Sequence, residues 1–358
     1  MRRKSKTTFL LILSFGLMST LASAALFSMG STSKIPEGWD LPVVKVPGKV
    51  VFQSNRDGGL SEIWLLKDGN LKKIVASSKS EKDIPKELPE PYRGLFQGGF
   101  VDLSEPEWSP DGRKILCRGE GEILIFDEDG KPLERIKPSK YPHLAKWSPD
   151  GKAIYFTGLD GKPDGAGSYN IFRLNLSDQS EYRITNLDPL PGRRIILSMA
   201  ISPNHREIAF TVVGEKKFGI SVWKVNTDGS NLKLIIKYAD DPSWSPDGSK
   251  IAYASSNLPN GQRAGKHDEI FVFDLKTSQT TRVTNNLWND RNPVFSPDGI
   301  KIAFESARHV STTHGSEIFV INIDGTGEAR LTPPQQNPKY PNDLTRAWAT
   351  DEHPDWTK

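Results

Sequence analysis

Cysteine is almost missing from this chain: Cys117 is the only one in 358 residues, so no intrachain disulfide can form. It stands in an alternating run after a turn, where a packed strand thiol is expected rather than a nucleophile. Long hydrophobic runs are also missing. The one apolar stretch, Phe9 to Met18, is too short to span a bilayer comfortably. It follows Arg2, Arg3, Lys4 and Lys6 and precedes Ala22-Ser23-Ala24, so residues 1–24 are expected to be a secretory signal peptide, with an uncleaved anchor as the competing assignment. No cysteine lies at that junction, which excludes lipoprotein anchoring there. An exported chain without disulfides suits a bacterial periplasm or exterior. Strong net charge is absent too. The formal +3 comes from the four basic residues of the leader; without them 43 Lys and Arg face 44 Asp and Glu, a net −1. No basic field remains to suggest nucleic acid. The sequence has no Gly-x-Ser-x-Gly elbow, His-Glu-x-x-His, EF-hand loop, phosphate-cradling Gly-Lys-Ser/Thr or dinucleotide fingerprint.

What the chain has is repetition. Trp244-Ser245-Pro246-Asp247-Gly248 returns as Trp108 to Gly112, as Trp147 to Gly151 and, led by phenylalanine, as Phe295 to Gly299. A worn copy reads Ile201-Ser202-Pro203-Asn204-His205, and a last one begins at Trp356. Proline sets φ for the first corner of a turn, Asp accepts the second, and glycine supplies φ > 0. His205 is the copy expected to carry strain, in a conformation that Asn and His tolerate better than most residues. Alternating apolar residues after each turn mark a β-hairpin. Third strands follow, such as Glu269 to Asp274, Glu317 to Ile321 and Asn170 to Leu174. They lead to endings such as Thr281-Arg282-Val283-Thr284 and Ala329-Arg330-Leu331-Thr332.

Four short strands per repeat, at roughly 40–50 residues, predict an all-β chain folded as a β-propeller of four-stranded antiparallel blades. The first unit lacks its leading strand and the last has only that strand. The C-terminal strand is therefore expected to pair with the first N-terminal strand at Gly48 to Phe52, closing six blades. The organisation expected is signal peptide 1–24, linker or arm 25–47 and propeller 48–358. With strands A to D named from the channel outward, the A–B and C–D corners share one face. The B–C loops and the D-to-A crossings share the other. That second face holds the insertions 76–104, 157–169, 186–198, 254–268, 305–316 and 333–352, where binding is expected.

The Trp-Ser-Pro-Asp-Gly turns, the Ile-Ala-Phe and Ile-Ala-Tyr strands, the Glu-Ile-Phe strands and the Arg-Leu-Thr endings resemble the TolB-like (WD40-like) β-propeller repeat family over nearly all of residues 48–358. The resemblance implies a six-bladed propeller, usually exported. TolB carries an α/β domain before its propeller and binds envelope partners, including a peptidoglycan-associated lipoprotein; residues 25–47 are too short to hold that domain. Related repeats occur in prolyl-oligopeptidase-type peptidases and oligogalacturonate lyases, so fold alone does not settle function.

Polar residues just before the inner strands are expected to converge on one mouth of the channel: Glu105, Glu107, His143, Asp240, Asp241, Asp290, Arg291, Asp351, Glu352 and His353. Such a set is chemically able to hold a divalent cation or meet a basic segment of a partner, and equally able to cap strand ends or solvate the channel. No other cofactor is expected. A metal or lyase site based on His143 and His353 requires them to meet across the channel. His267 and His314, near Asp268 and Glu317, are candidates for a rim site. Glu62, Glu269 and Glu317 recur at one blade position and are expected to be structural. Trp39, Trp288, Trp348, Tyr92, Phe96 and Tyr340 fall outside the repeat and are candidates for stacking on a sugar or docking a peptide. The expected function is an exported, monomeric binding module for an envelope or secreted protein or a glycan, with no nucleic acid and no membrane insertion after cleavage. The alternatives are a lyase or hydrolase acting on an envelope saccharide with a channel-mouth cation, and a structural subunit of an envelope assembly.

Overall fold

The computed structural model describes residues 41–56, 61–75, 103–119, 121–160, 168–187, 194–213, 219–308, 316–333 and 351–357. The leader 1–24 lies outside them, and so do Trp39, Tyr92, Phe96, His314, Tyr340 and Trp348.

Strands are numbered in chain order and blades from I to VI. Blade I joins the two ends of the chain: β24 (Asp351–Thr357), β1 (Lys49–Ser54), β2 (Glu62–Lys67) and β3 (Asn70–Val75). Blade II is β4 (Ser104–Trp108), β5 (Lys114–Arg118), β6 (Ile123–Asp127) and β7 (Pro132–Ile136). Blade III is β8 (Pro142–Trp147), β9 (Ala153–Leu159), β10 (Tyr169–Asn175) and β11 (Glu181–Arg183). Blade IV is β12 (Ile195–Ile201), β13 (Glu207–Val213), β14 (Ile220–Asn226) and β15 (Lys233–Lys237). Blade V is β16 (Asp240–Trp244), β17 (Lys250–Ser255), β18 (Glu269–Asp274) and β19 (Thr280–Arg282). Blade VI is β20 (Asp290–Phe295), β21 (Lys301–Ser306), β22 (Glu317–Asn322) and β23 (Ala329–Arg330). All pairings within blades are antiparallel, and the innermost strands contact one another around the ring. This is the expected closed, six-bladed propeller.

The repeat motif explains how blades adhere. In the Ser-Pro-Asp-Gly turns the serine hydroxyl donates to the Asp carboxylate, for example Ser109 to Asp111 at 2.6 Å, and accepts the N–H five residues on. Gly112, Gly151, Gly248 and Gly299 take φ of 65° to 74°, and His205 takes 63° in the worn copy, as expected. The aromatic before each turn packs on the preceding blade. Trp108 lies with Val51 and Ile63, Trp147 with Leu116 and Ile123, and Trp356 with Ala303 and Ile318. Burying such side chains is the main favourable term in closing the ring.

The Arg-x-Thr endings are strand stops. Thr185, Thr284 and Thr332 each accept, through Oγ1, the backbone N–H of the adjacent third strand (Ile171, Ile270 and Ile318) at 2.9 to 3.0 Å. A side chain thus replaces a ladder carbonyl, and the fourth strand ends there. Glu269 accepts bonds from Arg282, Thr284 and the Asn286 N–H, and Glu317 pairs with Arg330, the structural contact expected at that position. Outside the ring, residues 42–44 run beside β23: Val43 bridges Arg330 in parallel, and Val44 N–H donates to the Arg330 carbonyl at 2.8 Å. This covers the edge of a very short outer strand.

Candidate functional site

The inner strands enclose a central channel with a volume of about 330 Å³. Its wall comes from two rings of side chains. Three residues before each motif position stand Glu105, Leu144, Ser198, Asp241, Asn292 and His353, the mouth ring on the insertion face. One residue before it stand Glu107, Lys146, Ala200, Ser243, Val294 and Asp355, the floor ring, with Pro203, Pro246 and Pro297 of the tight turns below.

The mouth ring has a local cause. Glu105, Asp241, Asn292 and His353 all have φ between 49° and 53°, and each precedes a proline. Each marks a register break against the second strand of its blade, which is a β-bulge. The bulge turns the backbone N–H toward the preceding blade. Glu105 N–H donates to Gln53 Oε1 at 3.2 Å, Asp241 N–H to Ser198 Oγ at 3.2 Å, and Asn292 N–H to Asp241 Oδ2 at 3.4 Å. The floor ring points the other way. Asp355 accepts Trp108 N–H at 2.7 Å and Glu107 accepts Trp147 N–H at 2.6 Å, each stitching its blade to the next.

Electrostatics follow burial. Glu107 is pushed up to about 8, first by burial and then by Asp355 and Glu105, against the opposing field of Lys146. Asp241 is pushed up by burial and Asp240, and Asp355 by burial. Lys146 is held above the usual lysine range: burial opposes this, but the fields of Glu107, Asp355, Glu105 and Asp241 outweigh it. Beside the channel, Glu305 and Glu352 rise to about 7, mainly by burial.

The residues expected at the mouth lie within the inner strands rather than before them, because the bulges extend those strands. Glu105, Glu107, Asp241 and His353 line the channel. Asp240, Asp290, Arg291, Glu352 and His143 do not. Asp290 is sealed, bonded to Ser306 Oγ at 2.6 Å and Asn286 at 2.6 Å, with Arg308 at 3.5 Å. Asp351 makes the matching buried cluster with Ser54 and Arg56. Arg291 turns outward to Asp268, Nε to Oδ2 at 2.7 Å. Asp240 accepts Ser198 Oγ at 3.1 Å, and Glu352 faces Gln53 Nε2 at 3.4 Å. His143 packs edge-on against Tyr169, ring centroids 5.4 Å apart, and burial and Arg118 hold its imidazole below the usual range. It does not meet His353 across the channel. Among the described residues no three His, Cys, Asp or Glu side chains are placed to hold a metal ion. Lys146 and Asp355 are wall residues the sequence reasoning missed, although both occupy the same motif position as Glu107.

The insertion face also exposes apolar side chains. Tyr141, Tyr238 and Leu287 are 61%, 43% and 77% exposed, and Trp288 is half-buried beside Leu287. All four lie in D-to-A crossings, whereas Ile300 is the one exposed large hydrophobic in the described tight corners.

A closed ring of six antiparallel blades, with paired Ser-Pro-Asp-Gly and Arg-x-Thr repeats around a polar channel, defines a WD40-like β-propeller. Within that class, residues 189–352 match the TolB beta propeller domain. The Tol-Pal system protein TolB of Francisella tularensis subsp. mediasiatica is 29% identical over 231 residues, covering 62% of this chain and 49% of that protein. The chain thus spans about half the length of the curated relatives it matches. Among solved structures, TolB from Acinetobacter baumannii aligns with a TM-score of 0.57 at 16% identity, over 88% of this chain and 68% of that one. Oligogalacturonate lyase in complex with manganese aligns with a TM-score of 0.51 at 15% identity, over 79% and 73%. At such identities the two structures share the fold with this chain.

Proposed function

We propose that this chain is an exported, monomeric binding module that engages an envelope protein through its insertion face. The observation that carries this is the placement of Tyr141, Tyr238, Leu287 and Trp288 in crossings around the channel mouth on that face. Exposed aromatics beside a polar, partly acidic opening are the kind of anchors on which protein interfaces rely. The relatives named as Tol-Pal system proteins support a role at the envelope, and the sequence of residues 1–24 supports export. A saccharide lyase is the less favoured assignment. Its support is a likeness of fold, and no metal-holding group lies among the described residues.

The test is chemical crosslinking and capture from native envelopes. The intact protein is compared with the triple variant Tyr141→Ala, Tyr238→Ala, Trp288→Ala and with Ile300→Asp on the opposite face. One specific partner should be recovered with the intact protein and with Ile300→Asp, and lost with the triple variant. Equal recovery by all three would move recognition off this face.

A further inference from the structure

The channel holds one charged group that the contacts of the fold leave unused. Lys146 stands in the floor ring between Glu107 and Ala200, with Asp355 beyond Glu107; both carboxyl groups are committed to backbone N–H groups of following blades. The Lys146 side chain is half-buried and lines the channel. Among the described residues it makes no hydrogen bond or close ion pair. Its three donors open onto the channel rather than onto protein acceptors, which leaves them available to an acceptor in that space. The rest of the floor is Ala200 beside Lys146, then Ser243 and Val294, side chains that carry no charge into the space. The cavity, about 330 Å³, is at the small end of ligand pockets. The mouth ring lies two residues up the same strands, roughly 6–7 Å away. It presents Asp241 and Glu105, of which Glu105 is neutralised by Arg118 at 3.7 Å. A cation therefore lies at depth, and above it stands Asp241, whose carboxyl is pushed up by burial and Asp240 against the field of Arg291 and would be held ionised by an incoming ammonium.

We propose that the channel binds a small zwitterion, an α-amino acid or close relative, with its carboxylate on the Lys146 ammonium and its own ammonium facing Asp241. A plain anion would meet Asp355 and the mouth carboxyls, and a plain cation would meet Lys146; a molecule carrying both charges satisfies both rings. Glu107, pushed up to about 8, is mostly protonated at neutral pH, which removes a negative charge that would repel the incoming carboxylate. The inference concerns the channel interior and does not rest on partner recognition by the face above it.

Calorimetric titration of the whole protein with L-alanine and L-lysine, beside acetate, ethylamine and calcium chloride, tests it. Saturable one-site binding of an amino acid is expected, with acetate, ethylamine and calcium at least about tenfold weaker. Lys146→Met should weaken amino-acid binding at least about tenfold. Should that variant fail to fold, Asp241→Asn, which keeps the shape of the mouth, gives the same reading from the ammonium side. The proposal is overturned by absence of saturable heat with both amino acids, or by binding undiminished in the folded variant. Acetate, ethylamine or calcium binding as tightly as the amino acids overturns it too. No partner takes part, so failure here leaves capture by the insertion face untouched.

Discussion

At the scale of single residues, Glu107 is a channel carboxyl whose chemistry departs far from its ordinary state. Its carboxyl titrates at about 8 in the fold against an ordinary 4.5. Between those values the folded chain keeps a proton that the unfolded chain releases. The stability this contributes is therefore fully present below about pH 4.5 and drains away as pH rises through 8. Glu305 and Glu352, at about 7, act in the same direction, while turn carboxylates such as Asp247, at about 2, act oppositely and lose their contribution only in strong acid. Glu107→Gln keeps an acceptor for Trp147 N–H and removes the titration. Its Tm should fall less than the parent's between pH 5 and 8.5, with a relative gain of about 2 kcal/mol at the alkaline end, measured by thermal melts across pH. Asp290 behaves as a buried partner of Arg308. Arg308→Met leaves that carboxyl without its cation, and denaturant titration should show a loss of about 3–5 kcal/mol. Adding Asp290→Asn should return much of it. Residue type alone separated neither case. Glu107 and Asp290 are both acidic and both near an inner strand, and only the bulge decides which faces the channel. Lys146 went unrecognised because a lone lysine before a tryptophan has the look of a solvated residue until the ring closes around it.

Among the elements, the tight turns do more than reverse the chain. The glycines of the C–D turns press on the backbone of the blade before them. A Cβ on Gly130 would lie 2.2 Å from the Ile74 carbonyl oxygen, and one on Gly229 would lie 2.6 Å from that of Ile184. The A–B turns are looser, since a Cβ on Gly151 would meet nothing nearer than Pro110 at 3.9 Å. Both positions have positive φ, so alanine costs about 1 kcal/mol at either from backbone strain alone. Gly130→Ala must also push blades I and II apart. It should destabilise by at least about 2 kcal/mol more than Gly151→Ala in equilibrium denaturation, and equal losses would show that blade contact at that turn is dispensable. Strand positions were well marked in the sequence: Glu269 to Asp274 was expected and β18 covers the same residues. The outer strands came out shorter than their pattern suggested. β19 stops at Arg282 because the Thr284 hydroxyl takes the next ladder bond. The bulges left a trace too, proline two residues before the aromatic at Pro106, Pro242, Pro293 and Pro354, but a proline in a strand is ambiguous without its partner strand.

For the whole molecule, blade count and closure were legible because the chain ends hold complementary parts of one repeat. Most of the insertion face was legible as loop length, but which side chains it exposes depends on how each crossing folds back on its blades. Closure itself concentrates several contacts on one strand. β24 pairs with β1 from Lys49↔Thr357 to Ser54↔Asp351, Trp356 packs against blade VI and donates to the Pro47 carbonyl at 2.9 Å, and Asp351 neutralises the buried Arg56. Asp355 reaches the following blade at Trp108 N–H. Removing residues 351–358 would expose the edge of β1, strand Arg56 without its carboxylate and take an aromatic from between two blades. Trp356→Ala, which keeps the strand, should cost about 3–5 kcal/mol and leave a single cooperative transition. The truncated chain should lose that cooperativity and bind a hydrophobic dye at temperatures where the parent does not. A peptide spanning residues 349–358, added in trans, should restore part of the transition by refilling the vacant edge. A truncated chain that melts as sharply as Trp356→Ala would mean that the blades hold together pairwise and that sealing the ring adds little to their stability.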